Sequence, residues 1–170
     1  IDGTLSFGTI IAKSISISGN LIDVTGTINM TGAFVHELNL NGATNALSTF
    51  TTTANSGSRV NYGRNGDQTV FASPNYRNLQ FSGSGVKSLS GATTINNLMT
   101  ADGSATVSLG GQVLNALGDI TIENGATLLV DAGAQLLVAN GMSLNNKGRL
   151  SVLGTEGNRA IVSRSGATGG

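Results

Sequence analysis

Two pairs of acidic residues have a spacing that could support chemistry. Asp102 and Glu123 are 21 positions apart, and so are Asp2 and Asp23. Paired carboxylates can act as general acid and base, or can hold a calcium ion. Neither pair has a cluster of Arg, Lys or His at a matching spacing. We therefore interpret Asp102 as a turn residue, predict no catalytic residues and predict that the protein is not an enzyme.

Other residues that bind metals or phosphates occur without the spacing such sites need. His36 is the only histidine, and its segment HELNL lacks the second histidine of a zinc-protease helix, so we expect it at the surface or at the rim of the fold. Cysteine is absent, which excludes a thiolate metal site. The turn GRNGDQ at 63–68 has one acid, and SGSGVKS at 82–88 lacks the spacing of a phosphate-binding loop. We predict no metal and no cofactor.

Aromatic and arginine side chains are concentrated in one segment. Five of the seven aromatic residues fall between residues 50 and 81, together with three of the arginines. Aromatic rings can stack on sugar faces, and guanidinium groups can donate to sugar hydroxyls. The alternative is that the rings fill a wider part of the fold while the arginines face solvent. If this segment binds a ligand, we predict that Tyr62, Arg64, Tyr76 and Arg77 contact it.

The overall composition limits the classes of function. The formal net charge is 0, which argues against a nucleic-acid-binding protein because such proteins carry a basic stripe. No apolar run approaches the ~18 residues of a membrane-spanning helix, so we predict no membrane insertion of this segment. Only 11% of the residues are charged, and Gly, Ser, Thr and Asn, which are poor helix formers, are abundant. This composition favours many short strands joined by tight turns.

The elements that must position these residues are revealed by a repeat. Pairs of apolar residues separated by one residue recur along the chain, which is the alternation of a short strand. The distance between successive pairs is 22 positions in three series of residues: Leu38 and Val60; Leu128 and Leu150; and Leu98, Ile120 and Met142. Elsewhere the spacing varies, since Leu38 follows Ile15 by 23 positions and Leu79 follows Val60 by 19. Turns of unequal length between the strands would produce this variation.

A repeat this short cannot bury its apolar face alone and must stack on its neighbours. We therefore predict an all-β fold, a right-handed parallel β-helix (β-solenoid) with about 22 residues per coil, in which residues 1–170 form a single segment. The right-handed winding follows from the general rule for parallel crossovers. An antiparallel sandwich would also use short strands, but it does not require columns at a fixed offset. A propeller blade would have about twice this period.

The C-terminal half resembles a recurrent segment of secreted right-handed β-helix proteins. The matching residues are Gly125–Leu128, Gly148–Val152, Gly154–Thr155 and Ile161–Ser163. Residues 60–98 resemble a unit repeated in very large bacterial surface proteins, among them gliding-motility and adhesin-like cargo of type IX secretion systems. The resemblance implies an extracellular, elongated protein attached to the bacterial cell surface and serving adhesion.

These observations lead to a functional expectation. We predict a non-enzymatic structural or adhesive rod segment of a bacterial cell-surface protein, which mediates attachment or acts as a stiff spacer. The alternative is a carbohydrate-binding or polysaccharide-degrading β-helix protein, and a third class is a fibre protein that polymerises with itself.

The expected partners follow from the strands near the C-terminus. An unpaired parallel edge at 150–162 would be an aggregation liability. We expect further coils of the same chain or a partner protein to cover it, and surface glycans are the other candidate partner. Because the sequence starts at Ile1 without a methionine, we expect it to be a mature or excised segment.

Overall fold

The computed structural model describes residues 4–8, 11–22, 25–46, 49–51, 57–73 and 75–165. Within these ranges the chain forms strands and turns and no helix, and it winds into a parallel β-solenoid of about seven turns. The predicted all-β solenoid with about 22 residues per coil is confirmed. The right-handed winding stays a prediction.

The described residues form short strands in a repeating order. The strands are β1 (Thr4–Ser6), β2 (Lys13–Ile17), β3 (Leu21–Ile22), β4 (Thr27–Asn29), β5 (His36–Leu40), β6 (Asn45–Ala46), β7 (Thr49–Thr51), β8 (Arg59–Tyr62), β9 (Gln68–Val70), β10 (Tyr76–Phe81), β11 (Ser84–Leu89), β12 (Thr93–Ala101), β13 (Ser104–Ser108), β14 (Val113–Ala116), β15 (Asp119–Ile122), β16 (Thr127–Val130), β17 (Gln135–Val138), β18 (Leu144–Asn146), β19 (Arg149–Val152) and β20 (Ile161–Arg164).

Parallel sheets run along the solenoid and share strands at one corner. The largest sheet has ten strands, in the order β2-β5-β8-β10-β12-β14-β17-β20, with β15 paired to β12 and β18 paired to β15. Strand β12 belongs to two faces, since its first residues pair with β14 and its last residues pair with β15. The order β19-β16-β13-β11-β9 forms a five-stranded face, and β1-β4-β7 and β3-β6 form two smaller sheets.

The core is built from columns of inward-facing side chains. In an alternating strand every second residue faces inward, and parallel pairing in register places it on its counterpart in the next coil. One such column is no more than 1% exposed at any of its members, which are Leu38, Val60, Leu79, Met99 and Ile120. Each coil therefore buries its apolar face against the coils on both sides.

The observed register confirms most of the predicted spacings and corrects one. Ile15 pairs with Leu38, Val60 with Leu79, and Leu128 with Leu150. The predicted column of Leu98, Ile120 and Met142 is wrong, because Met99 is the partner of Ile120 and Leu144 follows it in the next coil.

The turn between β17 and β18 explains why Leu144, rather than Met142, is the next residue of that column. Here the amide of Met142 donates to the carbonyl of Ala139 over 3.2 Å. This turn lengthens the coil, so Ile120 and its partner Leu144 are 24 positions apart rather than 22. Met142 is 40% exposed, and Leu98 faces outward with 37% exposure.

Glycine allows the backbones of neighbouring coils to approach closely at the corners. Gly125 has a φ of 91°, and a Cβ there would lie 2.6 Å from the carbonyl oxygen of Gly103 in the preceding coil. Gly118, between β14 and β15, is packed more tightly still, since a Cβ there would lie 1.5 Å from the carbonyl oxygen of Asn97. A side chain at Gly118 would force adjacent coils apart.

We predict that Gly118→Ala destabilises the solenoid strongly. The added methyl group overlaps the Asn97 backbone, so we expect the free energy of unfolding to fall by about 3 kcal/mol. Urea denaturation followed by circular dichroism measures this change. Gly19→Ala is the matched control, because a Cβ there meets nothing within 4 Å, and it should change stability by no more than about 0.5 kcal/mol. Equal stability of the two variants would contradict the observed stacking.

Candidate functional site

The two tyrosines predicted to contact a ligand lie inside the solenoid. Tyr62 is 0% exposed and Tyr76 is 1% exposed. Their hydroxyl oxygens are 2.7 Å apart, the Tyr76 hydroxyl donates to the carbonyl of Phe71, and the Phe71 amide donates to the Tyr62 hydroxyl. A ring without an exposed face cannot stack on a sugar. The prediction that the rings of Tyr62 and Tyr76 contact a sugar is therefore wrong. Their burial agrees with the alternative, in which aromatic rings fill the coil.

The two arginines of the predicted set are also partly withdrawn from solvent. Arg64 Nη1 donates to the carbonyl oxygen of Asn41 at 3.4 Å. Arg77 lies where the pairing of β10 with β12 shifts register, and its Nε is buried without a hydrogen-bond partner in the described ranges. The structure therefore does not bring Tyr62, Arg64, Tyr76 and Arg77 together as one surface. Ligand binding by the two arginines stays a prediction.

Burial has a chemical consequence for the tyrosine pair. Removal from water disfavours the charged phenolate, which raises the pKa of Tyr62 to about 12 and raises that of Tyr76 well above its ordinary value. Both hydroxyls therefore stay protonated in the physiological range and act only as hydrogen-bonding groups. They satisfy the backbone of Phe71 inside an otherwise apolar layer.

A lysine in the core was not recognised from the sequence. Lys87 in β11 is 0% exposed and occupies an inward column between Gln68 and Val107. Its ammonium nitrogen donates to the carbonyl oxygens of Arg64 at 2.5 Å and Gly66 at 3.0 Å. Two carbonyl oxygens of the turn GRNGDQ therefore bind a cationic side chain of the protein itself. The sequence contains one indication of this burial, since Lys87 is two positions before Leu89 and so lies on the same face of the strand.

The environment of Lys87 disfavours its charge. Burial, followed by repulsion from Arg64, lowers the pKa of Lys87 to about 8, and attraction to Asp67 opposes this shift. The unfolded chain has the ordinary value of 10.5, so it binds more protons than the folded chain between pH 8 and 10.5. Stability therefore rises with pH through this interval.

We predict that the stability of the wild type relative to Lys87→Met increases by about 3 kcal/mol between pH 8 and 10.5. Urea denaturation of both proteins across this range measures the difference. All other ionisable groups are common to the two proteins, so the comparison isolates Lys87. A difference that stays constant with pH would show that Lys87 titrates alike in the folded and unfolded chains.

The expectation for His36 is wrong. Its side chain is 0% exposed, and its ring lies 5.4 Å from that of Phe7, centroid to centroid. Neither ring nitrogen has a hydrogen-bond partner within the described part of the chain, while the backbone amide donates to Ser58 Oγ at 2.8 Å. His36 therefore serves as a packing residue at the start of β5.

The acidic pair Asp102 and Glu123 lies on adjacent coils, as its spacing suggested. Both residues directly follow paired strand positions, Ala101 and Ile122. Each carboxylate already has a partner, because Asp102 accepts from Gln80 Nε2 at 2.5 Å and Glu123 forms an ion pair with Lys147 at 3.0 Å. The described residues contain no group of three His, Cys, Asp or Glu that could hold a metal ion. The other pair, Asp2 and Asp23, lies outside the described residues.

The outer face of the large sheet has a depression that a ligand could reach. One outward column consists of polar residues interrupted by a leucine, in the order Glu37, Arg59, Asn78, Leu98 and Asp119. Beside it runs a second column, Asn39, Asn61, Gln80, Thr100 and Thr121. A depression of about 260 Å³ lies between them and is lined by residues of three successive coils. We call it the Leu98 groove; its principal lining residues are Arg59, Asn78, Gln80, Asn97, Leu98 and Thr100.

Hydrogen bonds fix the side chains that line the Leu98 groove. Arg59 donates through Nε and Nη2 to the same oxygen of Glu37, at 3.0 and 2.6 Å. Asn97 Nδ2 donates to Asn78 Oδ1 at 2.7 Å. The hydrogen bond from the Arg59 guanidinium holds the pKa of the Glu37 carboxyl below its usual range, so this carboxylate is ionised at neutral pH. The groove is thus a preformed surface of polar side chains beside Leu79 and Leu98.

Comparisons with known proteins add no assignment. No protein-family model, curated protein or solved structure matches the chain. Among the described residues, no helix has the length and apolar character needed to cross a membrane.

Proposed function

We propose that this solenoid is a non-enzymatic structural or adhesive rod segment of an extracellular bacterial surface protein. The observation that carries the proposal is the uninterrupted parallel sheet that connects strands from Lys13 to Arg164. Opening one coil would break backbone hydrogen bonds to both neighbouring coils and expose stacked apolar side chains. Such a molecule is suited to bearing load. The resemblance to adhesin-like type IX secretion cargo supports the location at the cell surface.

We predict that the central coils resist local opening. Backbone amides of β10, β12 and β15 should exchange with deuterium only through global unfolding, because each strand lies between two paired neighbours. Hydrogen exchange by mass spectrometry, together with thermolysin digestion under native conditions, measures this protection. Cleavage or exchange within 76–122 that is much faster than global unfolding would contradict the rod function.

A polysaccharide-degrading enzyme is the alternative to the rod, and an activity assay distinguishes the two. Purified protein should release no reducing ends or unsaturated sugars from a panel of neutral and acidic polysaccharides. Turnover that disappears in both Asp102→Asn and Glu123→Gln would replace the rod with a polysaccharide-degrading enzyme. Attachment of cells displaying the chain, compared with cells displaying an unrelated rod, tests the adhesive function.

We also propose that a further coil or a partner protein covers the C-terminal edge. Val152 is 46% exposed and Val162 is 43% exposed, whereas their neighbours in the preceding coil, Val130 and Leu136, are 0% exposed. Inward-facing apolar side chains at an unpaired parallel edge favour association. This supports a covering partner without specifying which one.

We predict that polar substitution at this edge reduces association of the 170-residue chain. The double variant Val152→Thr, Val162→Thr should sediment with a smaller average mass and bind less of a hydrophobic fluorescent dye. Val86→Thr is the control, because Val86 is 37% exposed on the side of the solenoid, away from this edge. A wild-type chain that is monomeric and does not bind the dye would contradict the proposal.

A further inference from the structure

Leu98 breaks the pattern of its own column on the large sheet. The column is otherwise polar, yet Leu98 stands between Asn78 and Asp119 and is 37% exposed. Its inward neighbour Met99, and not Leu98, fills the core at this level of the solenoid. A departure from the polar pattern of a column is the kind of position where binding is expected.

The second observation is a polar atom in the lining of the groove. Gln80 Oε1 is buried and has no hydrogen-bond partner among the residues that the structure describes, while Gln80 Nε2 donates to Asp102. The bond to a carboxylate fixes which end of the amide is the nitrogen, so the unpartnered atom is an acceptor. A buried acceptor without a donor costs free energy. A hydroxyl donor from a ligand would remove this cost after a small rotation of the side chain.

The charge of the groove defines the class of ligand. Among the described residues, Arg59 is the one charged residue that lines it, and Glu37 neutralises Arg59 through two hydrogen bonds. The other lining side chains are amides, a hydroxyl and aliphatic groups. An anionic ligand would find no unbalanced positive charge here, whereas an uncharged ligand with many hydroxyls would find donors, acceptors and an apolar contact.

We propose that the Leu98 groove binds a neutral oligosaccharide. The apolar face of a sugar ring packs on Leu98, and its hydroxyls bond to Arg59, Gln80 and Thr100. The groove crosses three coils, so an extended glycan lies along the solenoid axis rather than around it. This site differs from the buried tyrosine cluster that the sequence suggested. The proposal rests on the adhesive part of the proposed function, because it names the surface and the ligand of that adhesion.

Titration calorimetry and methyl NMR on the full chain test the site. The probes are neutral oligosaccharides of glucose, mannose, galactose and xylose, with oligogalacturonate as the acidic comparison. We expect at least one neutral oligosaccharide to bind and to shift the Leu98 methyl resonances. Its affinity should change less than about twofold between 0.05 and 0.5 M salt, because screening acts on charges.

Variants separate the groove from the rest of the surface. Leu98→Asn restores the polar character of its column and should weaken binding about tenfold while leaving the unfolding midpoint unchanged. Thr100→Val should also weaken binding. Val86→Thr is the matched control, since Val86 has the same 37% exposure on another face, and it should bind as the wild type does.

Several outcomes would overturn the proposal. These are no binding of any neutral probe, salt-sensitive binding of oligogalacturonate alone, and equal weakening by Leu98→Asn and Val86→Thr. The hydrogen-exchange experiment on the central coils is independent of these measurements. Failure here with protected central coils removes the glycan ligand and keeps the rod, whereas unprotected coils remove the rod itself.

Discussion

Every coil of this protein must pair in register with the coil before it and the coil after it. This constraint aligns inward side chains into columns, so the size of each residue is limited by its neighbours along the axis. One such column contains Tyr62, Phe81 and Ala101 in three successive coils. The inward side chain therefore decreases in size from an aromatic ring to a methyl group along the axis. Phe50, Tyr62, Tyr76 and Phe81 are therefore buried and fill the interior of these coils.

The same constraint decides how polar residues are tolerated inside. Gln68 is 3% exposed, and its Nε2 donates to the carbonyl oxygens of Leu40 and Gly42 at 2.8 and 2.9 Å. Lys87, one coil further, binds the carbonyls of Arg64 and Gly66 in the same manner. Irregular turns leave carbonyls that no strand partner can satisfy, and these long polar side chains reach them from within. In later coils of the same column, Val107 and Leu128 replace them.

Because the interior is fully used for stacking, the outer face carries the variable chemistry. Its columns are ladders of small polar groups, such as Asn61 Nδ2 donating to Asn39 Oδ1 at 3.1 Å. Such ladders are compatible with any function that needs a regular, uncharged surface along the rod. Leu98 interrupts this regularity in its own column, and side chains of three successive coils line the groove around it.

The sequence by itself determined the strands, the repeat and the parallel solenoid, since the stacking of columns requires apolar pairs at a nearly constant distance. Ile15 with Leu38 and Leu128 with Leu150 could be matched because the turns between them keep the strands in phase. Only the tertiary structure decided that Leu144 is the partner of Ile120 in the next coil. The turn at Ala139–Met142 adds two residues that the pattern of apolar residues does not reveal.

The tertiary structure also decided whether each chemically active side chain points into the core or toward solvent. His36 and Lys87 belong to residue types that normally face solvent, yet both are 0% exposed. In a strand, a shift of one position exchanges inside for outside, and turn length sets that phase. Composition and spacing therefore predicted what the fold is, whereas the contacts between coils fixed which of its side chains a ligand can reach.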